Sequence, residues 1–407
     1  MHSAARIVMP TDPPDGYTLL RALLAALGPA GDVAGQAEQI AADAVVPQAS
    51  PWQQLVGETD YHGVTLLMAP IVAARLRTTP GVISVDARRS YFALASRHRQ
   101  LAAIREAAID HLLAAFAAAA VPIIVLKGAA LAHLIYPSPE LRPMVDIDVL
   151  IDPIHAEAAV RIASDLGYAF ASRHPSKFAG RLHHIPVGEI VQSGFRLFLE
   201  IHIEAMHLDQ PRRLNLLNLA SKPRPFDRGG GPPGLALGHT DMLRHLAGHA
   251  FDPAHRIRLI HLYDLWRYQA IFHDQIDWPE IEARFGYVMV VLRLVSQVFA
   301  GAPPASAAAG SVPAGLGLAM IPLAEIAASD MSLRKKLGAI FNPPAFWLHG
   351  FYGVPPEQSL LICRTVRHPV ILARWLLARA AGLAGFAGDW NWVDAFNNRP
   401  RGSRDIP

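Results

Sequence analysis

The sequence contains one cysteine, few charged residues and no apolar run long enough to cross a membrane. Cys363 stands alone among 407 residues, which excludes an internal disulfide and any zinc site built from several cysteines. This cysteine usage predicts a reducing, cytoplasmic compartment. The most apolar stretch, residues 111–126, contains Pro122 and is too short to span a bilayer. Residues 1–17 lack a basic start followed by an apolar run, so we expect no secretory signal.

The balance of charge argues against nucleic acid as a partner. Lys and Arg number 37, Asp and Glu number 34, and the net charge is only +3. Nucleic-acid-binding proteins usually gather their basic residues into a patch or stripe, and no such cluster precedes the last ten residues of this chain. Hydrophobic residues make up 52% of the sequence, which is enough to bury a large core and excludes a mostly disordered chain.

The hydrophobic pattern divides the chain into four parts. Apolar residues at three- and four-residue steps predict helices at 17–27, 52–76 (broken near Gly63) and 90–119. Short β-branched runs then alternate with helical segments, which predicts an α/β unit. Its predicted strands are 123–126, 144–151, 168–171 and 196–203, and its predicted helices are 129–135 and 153–166. A Pro/Gly-rich connector at 221–238 leads to predicted helices at 240–269 and 278–300, and 301–317 is a low-complexity linker.

These changes of pattern predict the domain organisation. We expect a helical N-terminal region at 1–96, the α/β core at 97–210, a helical region packed on that core at 211–300, and a proline-rich linker with a helical C-terminal region at 301–407. The class is therefore a mixed α/β or α+β fold flanked by helices on both sides.

The first candidate for chemistry is the strand with the sequence Asp-Ile-Asp-Val. Asp146 and Asp148 are two residues apart, so a strand points both carboxylates to one face and leaves Val145, Ile147 and Val149 for the core. Two neighbouring carboxylates raise each other's pKa, and a divalent cation removes that conflict. Mg²⁺ suits such a pair because it is commonly held by one or two carboxylates together with substrate phosphates.

A second strand offers a third carboxylate. Glu200, His202 and Glu204 share one face, and Leu199, Ile201 and Ile203 share the other. If this strand lies beside the Asp strand, Glu200 can join Asp146 and Asp148 in holding two metal ions. Glu200 could equally be an exposed strand residue on spacing alone. His202 is either part of the site or a core histidine, and the same two roles stay open for His184.

The third candidate is a helix start after a buried strand. Lys127, Gly128 and Ala129 follow the first predicted strand directly. The N-terminus of a helix carries free N–H groups and a partial positive charge, which suits phosphate. Gly128 permits close approach of a ligand to the backbone, and Lys127 adds a charge. Arg142, just before the Asp strand, is a further candidate phosphate ligand.

Together these residues resemble the uncharacterised nucleotidyltransferase family within the DNA polymerase beta-type superfamily. The family pattern runs Leu-Lys-Gly-x-x-Leu, a tyrosine, Leu-Arg-Pro-x-x-Asp-x-Asp, a histidine-containing strand, and then an acidic residue followed by x-His. The matching residues here are Leu126, Lys127, Gly128, Ala129, Tyr136, Arg142, Asp146, Asp148, His184, Glu200 and His202, and a later match through His249, Arg256, Arg258 and Asp264 follows. The similarity extends over about residues 50–300.

The resemblance implies a small mixed β-sheet and transfer of a nucleoside monophosphate from an NTP, ATP being favoured, to a hydroxyl group. It implies that Asp146, Asp148 and Glu200 are the catalytic residues and metal ligands, with two Mg²⁺ ions or alternatively Mn²⁺. It also implies that Lys127, Gly128, Ala129, Arg142 and His202 bind the nucleotide. The helix start of the wider superfamily usually reads Gly-Ser or Gly-Gly, and here Ala129 stands in place of the serine.

The acceptor of the transferred group stays open, with a small molecule, a peptide and a protein all compatible with the sequence. Two other functions are also open. One is a nucleotide-binding module that has lost turnover. The main feature that favours it is Ala129, which replaces the usual serine. The other is a metal-dependent phosphohydrolase that uses the same carboxylates with His184 and His202.

Overall fold

A computed structural model describes residues 15–29, 31–44, 49–170, 184–206, 213–252, 256–299 and 332–383. Helices precede and follow a central stretch in which strands and helices alternate. The helices are α1 (Gly16–Leu27), α2 (Val33–Asp43), α3 (Ala49–Tyr61), α4 (Thr65–Thr78), α5 (Val85–Ala118), α6 (Lys127–Leu134), α7 (Ala156–Asp165), α8 (His239–Ala250), α9 (Leu259–Ile271), α10 (Trp278–Arg284), α11 (Tyr287–Phe299), α12 (Leu333–Phe341), α13 (Ala345–Tyr352) and α14 (His368–Leu383).

The strands form one mixed seven-stranded sheet. They are β1 (Ile124–Val125), β2 (Asp146–Leu150), β3 (Ala169–Phe170), β4 (Gly188–Gln192), β5 (Phe195–His202), β6 (Arg224–Phe226) and β7 (Gly234–Ala236). Their order across the sheet is β3-β4-β5-β2-β1-β7-β6. Strands β2 and β5 run parallel, as do β1 and β7, and the remaining neighbours are antiparallel. The predicted fold class, a mixed sheet flanked by helices, is confirmed.

The segment predicted as a connector contains two strands. Strands β6 and β7 lie between residues 221 and 238 and extend the sheet beyond residue 210. Each has only three residues, so neither shows the alternation that identifies a strand in a sequence. Pro225 is tolerated in β6 because that strand is at the edge of the sheet, where a missing N–H breaks no ladder.

Two predicted long helices are each divided in the structure. The segment 240–269 forms α8 and α9, and 278–300 forms α10 and α11. Helix α2 has no counterpart among the predictions. The predicted linker at 301–317 and the arginine-containing last ten residues lie outside the described part of the chain. Within that part, no helix combines the length and the apolar character that crossing a membrane requires.

Helices from both ends of the described chain share one core. Helix α1 packs against α3 and α11, and α11 in turn packs against α8, α9 and α13. The leucines of α1 at positions 19, 20, 23, 24 and 27 are all buried, as their three- and four-residue spacing predicts. One cluster of buried apolar side chains runs from Tyr17 to Leu348 and includes the inner face of the sheet, so the helices hold the sheet and its polar face in place.

Candidate functional site

The parallel pair β2 and β5 places the acidic residues of two chain segments side by side. Asp148 is the register partner of Glu200, and Leu150 is that of His202. The two strands are therefore neighbours, which is the condition under which Glu200 can join the aspartates. Ile147 and Val149 are buried on the opposite face, as expected. Val145 is 46% exposed, so the expectation that it points into the core is wrong, because β2 begins only at Asp146.

Three side chains of this strand pair form a compact polar group. One ligand atom each from Asp148, Glu200 and His202 lies within 4.8 Å of the other two, and all three residues are buried. His202 Nε2 is 2.7 Å from Asp148 Oδ1 and 3.5 Å from Glu200 Oε2. Two carboxylates and an imidazole are ligands that divalent metal ions use, so this group could hold a metal ion.

Lys127 supplies a positive charge to the same group. Its Nζ donates a hydrogen bond of 2.7 Å to Asp148 Oδ1, the oxygen that His202 also contacts. Burial alone would lower the pKa of Lys127, but the carboxylates of Asp148, Glu200 and Asp146 outweigh it and raise that pKa. Lys127 is therefore charged, and it balances part of the buried negative charge.

The pKa values of the two buried carboxylates are lowered, whereas that of Lys127 is raised. Burial would raise the pKa of Asp148, but Lys127 and His202 outweigh burial and lower it. The pKa of Glu200 lies well below its usual range, because the hydrogen bond from His202 and the charges of His184 and Lys127 overcome the effect of burial. Both groups are thus anionic near neutral pH, as metal ligands must be.

Asp146 lies at the start of β2 and is half-buried, in contrast to Asp148. Its charge acts on Lys127 and on three arginines that come from separate elements, namely Arg105, Arg142 and Arg258. Burial lowers the pKa of Arg105 to about 10, and Asp146 works against that fall. Positive groups thus surround Asp146, whereas Asp148 belongs to the compact group with Glu200 and His202.

The predicted phosphate-binding helix start has an unusual backbone. Helix α6 begins at Lys127, directly after β1, and Lys127 has a φ of +45°. A side chain in this left-handed region costs about 1–2 kcal/mol, and such strain gathers at functional positions. Ala129 is buried in the core, so only its backbone N–H could face a ligand.

Gly128 is required by its neighbours in the fold. A Cβ atom at this position would lie 3.1 Å from Arg142 Nη1 and 3.2 Å from Met144 Cβ. Both distances are shorter than ordinary van der Waals contact, so a larger residue would displace the loop before β2. Gly128 therefore lets this loop pack against the start of α6.

Arg142 is held by a distant acidic residue. Its Nε donates to both carboxylate oxygens of Asp264, at 3.1 and 2.8 Å, and its Nη2 lies 2.7 Å from Oδ2. The Tyr136 hydroxyl donates to the same carboxylate at 2.7 Å, and Arg142 Nη1 donates to the Pro143 carbonyl at 2.5 Å. The guanidinium thus joins α9 to the loop that leads into β2.

His184 lies next to the compact group. It forms an isolated β-bridge with His202, and the centroids of the two rings are 5.6 Å apart. Its Nδ1 donates to the Ile185 carbonyl over 2.6 Å. Burial lowers the pKa of His184, and the neighbouring Glu200 opposes this effect. His184 thus packs against the site, with one ring nitrogen used by the backbone.

Some residues near the site carry no motif that identifies them in the sequence. Arg105 lies on α5, far from every strand motif, and is 6% exposed. His245 lies on α8, where almost every residue is buried, so its helical periodicity gives no sign of a special face. Arg258 was identified in the sequence only through its match to the family pattern.

The comparisons with known proteins agree with this geometry. A sequence model described as uncharacterised nucleotidyltransferase matches residues 48–287, which is more than half of the chain and includes the whole strand pair and helices α8 and α9. No curated protein and no solved structure gives a significant match.

Proposed function

Since the chain belongs to the uncharacterised nucleotidyltransferase family, we propose that it transfers a nucleoside monophosphate from an NTP to a hydroxyl group of an acceptor. ATP is the first donor to test, and the acceptor is a small molecule, a peptide or a protein. The observation that carries the proposal is the register pairing of Asp148 with Glu200, which gathers two carboxylates and His202 within 4.8 Å.

In this proposal Asp146, Asp148 and Glu200 hold two divalent ions, taken here as Mg²⁺. Such ions supply charge that stabilises the phosphates and lowers the pKa of a bound hydroxyl. Glu200 accepts a hydrogen bond from the acceptor hydroxyl and so aims its oxygen at the α-phosphorus. The new P–O bond forms as the bond to the β-phosphate oxygen breaks, and pyrophosphate leaves. The proton of the hydroxyl passes to Glu200 or to solvent.

The donor is held by positive groups around the strand ends. Lys127 is charged and lies beside Asp148, so its Nζ can turn to a phosphate oxygen once the carboxylates are neutralised. The free N–H groups at the start of α6 add partial positive charge. Arg142 orients this region through Asp264 and Pro143, and Arg105 and Arg258 add charge next to Asp146.

Our proposals for the cellular compartment and for the class of acceptor rest on the composition of the sequence and not on the geometry of the site. The single cysteine, which is buried, leaves the cytoplasm as the predicted location. The small net charge leaves nucleic acid as an unfavoured acceptor.

Calorimetric titration of the four NTPs, with and without Mg²⁺, tests the proposal. We expect one NTP to bind in a Mg²⁺-dependent manner, and an Asp146→Asn/Asp148→Asn variant to lose that binding. An Asp86→Asn/Asp165→Asn variant makes the same change in charge at exposed positions and should bind as the wild type does. Absence of NTP binding by the wild type would contradict the proposal.

The fate of the α-phosphate separates transfer from the alternatives. With an α-labelled NTP, a nucleotidyltransferase places the label on an acceptor, whereas a phosphohydrolase releases it as free NMP. A module without turnover binds the NTP and leaves it intact.

A further inference from the structure

The helices at the C-terminal end of the described chain expose an unusual amount of apolar surface. Of the fifteen large apolar side chains that are exposed among the described residues, eight lie between residues 333 and 377. They are Leu333, Leu337, Phe341, Leu361, Ile362, Val366, Val370 and Leu377. Apolar residues that are exposed singly need no explanation, whereas a connected set of them marks an interaction surface.

Helix α12 carries three of these side chains on one side. Leu333, Leu337 and Phe341 are four residues apart, so they follow one another along the helix. An apolar stripe normally faces a core, yet α12 has no buried residue. Its end is attached to α14, because His368 Nε2 donates to the Ile340 carbonyl over 2.7 Å.

A longer stripe follows the last described helix. Residues 361–383 are helical throughout, with one π-helical turn before α14. The exposed residues Ile362, Val366, Val370 and Leu377 recur there at steps of four, four and seven. Such steps bring residues to one face of a helix. These four residues therefore form a continuous surface, which we call the C-terminal stripe.

The charge of this part of the chain is one-sided. Residues 332–383 contain seven Lys or Arg and one acidic residue, Glu357, whereas the rest of the chain holds 30 basic and 33 acidic residues. The difference comes less from the number of basic residues than from the near absence of acidic ones. Glu357 is already paired with Arg293 of α11 at 3.0 Å, so the segment keeps a positive charge.

Two exposed arginines lie next to the C-terminal stripe. Arg367 and Arg374 are two helical turns apart, which places them on the same side of the helix. Arg367 directly follows Val366, a member of the stripe. A helix with an apolar face and cationic side chains at its margin is typical of helices that lie in the plane of a bilayer surface. Long cationic side chains reach the lipid phosphates while the apolar face enters the interface.

We propose that the C-terminal stripe docks on an anionic lipid bilayer, with Arg367 and Arg374 contacting lipid phosphates and α12 adding a second apolar contact. Charge complementarity selects this partner. A second copy of the chain would bring like charges together, and nucleic acid offers phosphates but no apolar phase for a row of aliphatic side chains. The inference is independent of the proposed transfer reaction.

Cosedimentation of the full-length protein with vesicles tests the proposal and needs no NTP. Vesicles of phosphatidylcholine are compared with vesicles of phosphatidylcholine and phosphatidylglycerol in equal parts. We expect binding to the mixed vesicles to be at least about tenfold stronger, because each cationic side chain near an anionic surface adds to the affinity. Added salt should weaken this binding, since it screens the exposed charges.

Charge variants test the arginines. Arg367→Gln/Arg374→Gln should weaken binding to the mixed vesicles by roughly tenfold or more. Arg88→Gln/Arg89→Gln removes the same charge at exposed positions of α5 and should bind as the wild type does.

Apolar variants test the stripe. Val366→Gln/Leu377→Gln should weaken binding to the mixed vesicles by a similar factor, and glutamine is a good helix former at exposed positions. Ile154→Gln/Leu217→Gln makes the same kind of change at two exposed positions elsewhere and is the matched control.

A polarity-sensitive dye locates the contact and keeps the test valid if a double variant fails to fold. Cys363 is buried and is the one native cysteine, so it is first replaced by Cys363→Ala. A dye attached at Leu377→Cys should shift to shorter wavelength on mixed vesicles, whereas a dye at Leu217→Cys should not.

Three results would overturn the inference: no binding to mixed vesicles, equal binding to both vesicle types, or wild-type binding by Val366→Gln/Leu377→Gln. A wild-type dimer that dissociates in that variant would instead assign the stripe to a second copy of the chain. Retention by transfer RNA without vesicle binding would assign the basic residues to nucleic acid. Failure of the proposed function appears as absent NTP binding or absent transfer, whether or not vesicles are bound.

Discussion

Asp148 and Lys127 are joined by a hydrogen bond of 2.7 Å although one lies on a strand and the other at the strained first residue of a helix. The strand fixes the carboxylate among the other acidic residues, and the helix start brings the ammonium group to it. The pair therefore joins the two halves of the proposed chemistry, because the proposed metal ligand and the proposed phosphate-binding group are in contact in this structure.

Replacement of Lys127 should weaken NTP binding more than it weakens the fold. Hydrogen bonds to charged groups contribute about 1.5–3 kcal/mol, so Lys127→Ala should raise the Kd for the NTP by roughly 10- to 100-fold. Calorimetry in the presence of Mg²⁺ measures this change, and Lys222→Ala, at an exposed position, is the control. An unchanged Kd would remove Lys127 from the phosphate-binding group.

Replacement of Asp264 should make the protein less stable, although we assign Asp264 no contact with substrate. Asp264 is buried and paired with Arg142, and loss of one partner of a buried pair costs about 3–5 kcal/mol. We expect Asp264→Asn to lower the free energy of unfolding by about that amount in urea titrations. Glu357→Gln breaks an exposed pair with Arg293 and should cost less than about 1 kcal/mol.

The same measurement decides the role of Arg142. If Arg142 acts mainly through Asp264, Arg142→Lys should lose stability in parallel with Asp264→Asn, because lysine cannot reproduce the forked contact. If Arg142 also binds phosphate, Arg142→Lys should in addition raise the Kd for the NTP.

Replacement of Glu200 should slow turnover while leaving donor binding nearly intact. Glu200→Gln keeps the size of the side chain but weakens its hydrogen bond to the acceptor hydroxyl. Positioned acid–base groups commonly raise the reaction rate by 10²- to 10⁴-fold. We expect kcat to fall within about that range while the Kd for the NTP changes little. Glu189→Gln, on neighbouring β4 with its side chain paired to Arg196, should behave as the wild type.

The result for Glu200→Gln that would contradict its role is loss of the folded state, seen as a large fall in Tm. Glu200 would then be a structural partner of His202 and would have no part in holding the acceptor.

Acid should destabilise the protein through His239, a residue outside the site. Burial, followed by the charge of Arg224, lowers the pKa of His239 to about 4, and its Nδ1 donates to the Tyr268 hydroxyl over 3.0 Å. The folded state therefore favours the neutral ring. The stabilisation it contributes is fully present above the unfolded pKa of about 6.5 and is lost as the pH falls towards 4.

Urea titrations between pH 7 and pH 4 measure this effect. Over that range the wild type should lose about 2 kcal/mol more of its free energy of unfolding than His239→Gln loses. This value allows for solvent, which screens part of the effect that lowers the pKa of His239. His111→Gln should reproduce the wild-type slope. A His239→Gln slope equal to that of the wild type would show that folding does not lower the pKa of His239.

Much of the strand pair could be predicted from the sequence because its signals are local. Asp146 and Asp148 stand in an apolar run after an Arg-Pro turn, and Glu200 and His202 stand in another. Alternation then fixes which side chains share a face. The contact between Asp148 and Glu200 depends only on these two strands becoming neighbours, which the family pattern suggested and the sheet provides.

The rest of the site could not be predicted because it depends on distant pairs and on burial. Arg142 lies 122 residues from Asp264, and no local pattern indicates that these two residues meet. The helix α8 is buried on nearly every side, so it lacks the amphipathic pattern that would distinguish one of its faces. Strands β6 and β7 are too short to show an alternation of apolar and polar residues. The sheet nevertheless depends on them, because β7 pairs with β1.

The pairing of β1 with β7 determines how far the chain can be shortened. Truncation after residue 210 would remove β7 and leave β1 with an open edge, a common starting point for aggregation. It would also remove Asp264, and with it the anchor of Arg142. A minimal fragment must therefore extend at least through α9, so engineering that grafts or excises the sheet has to carry the helices that follow it.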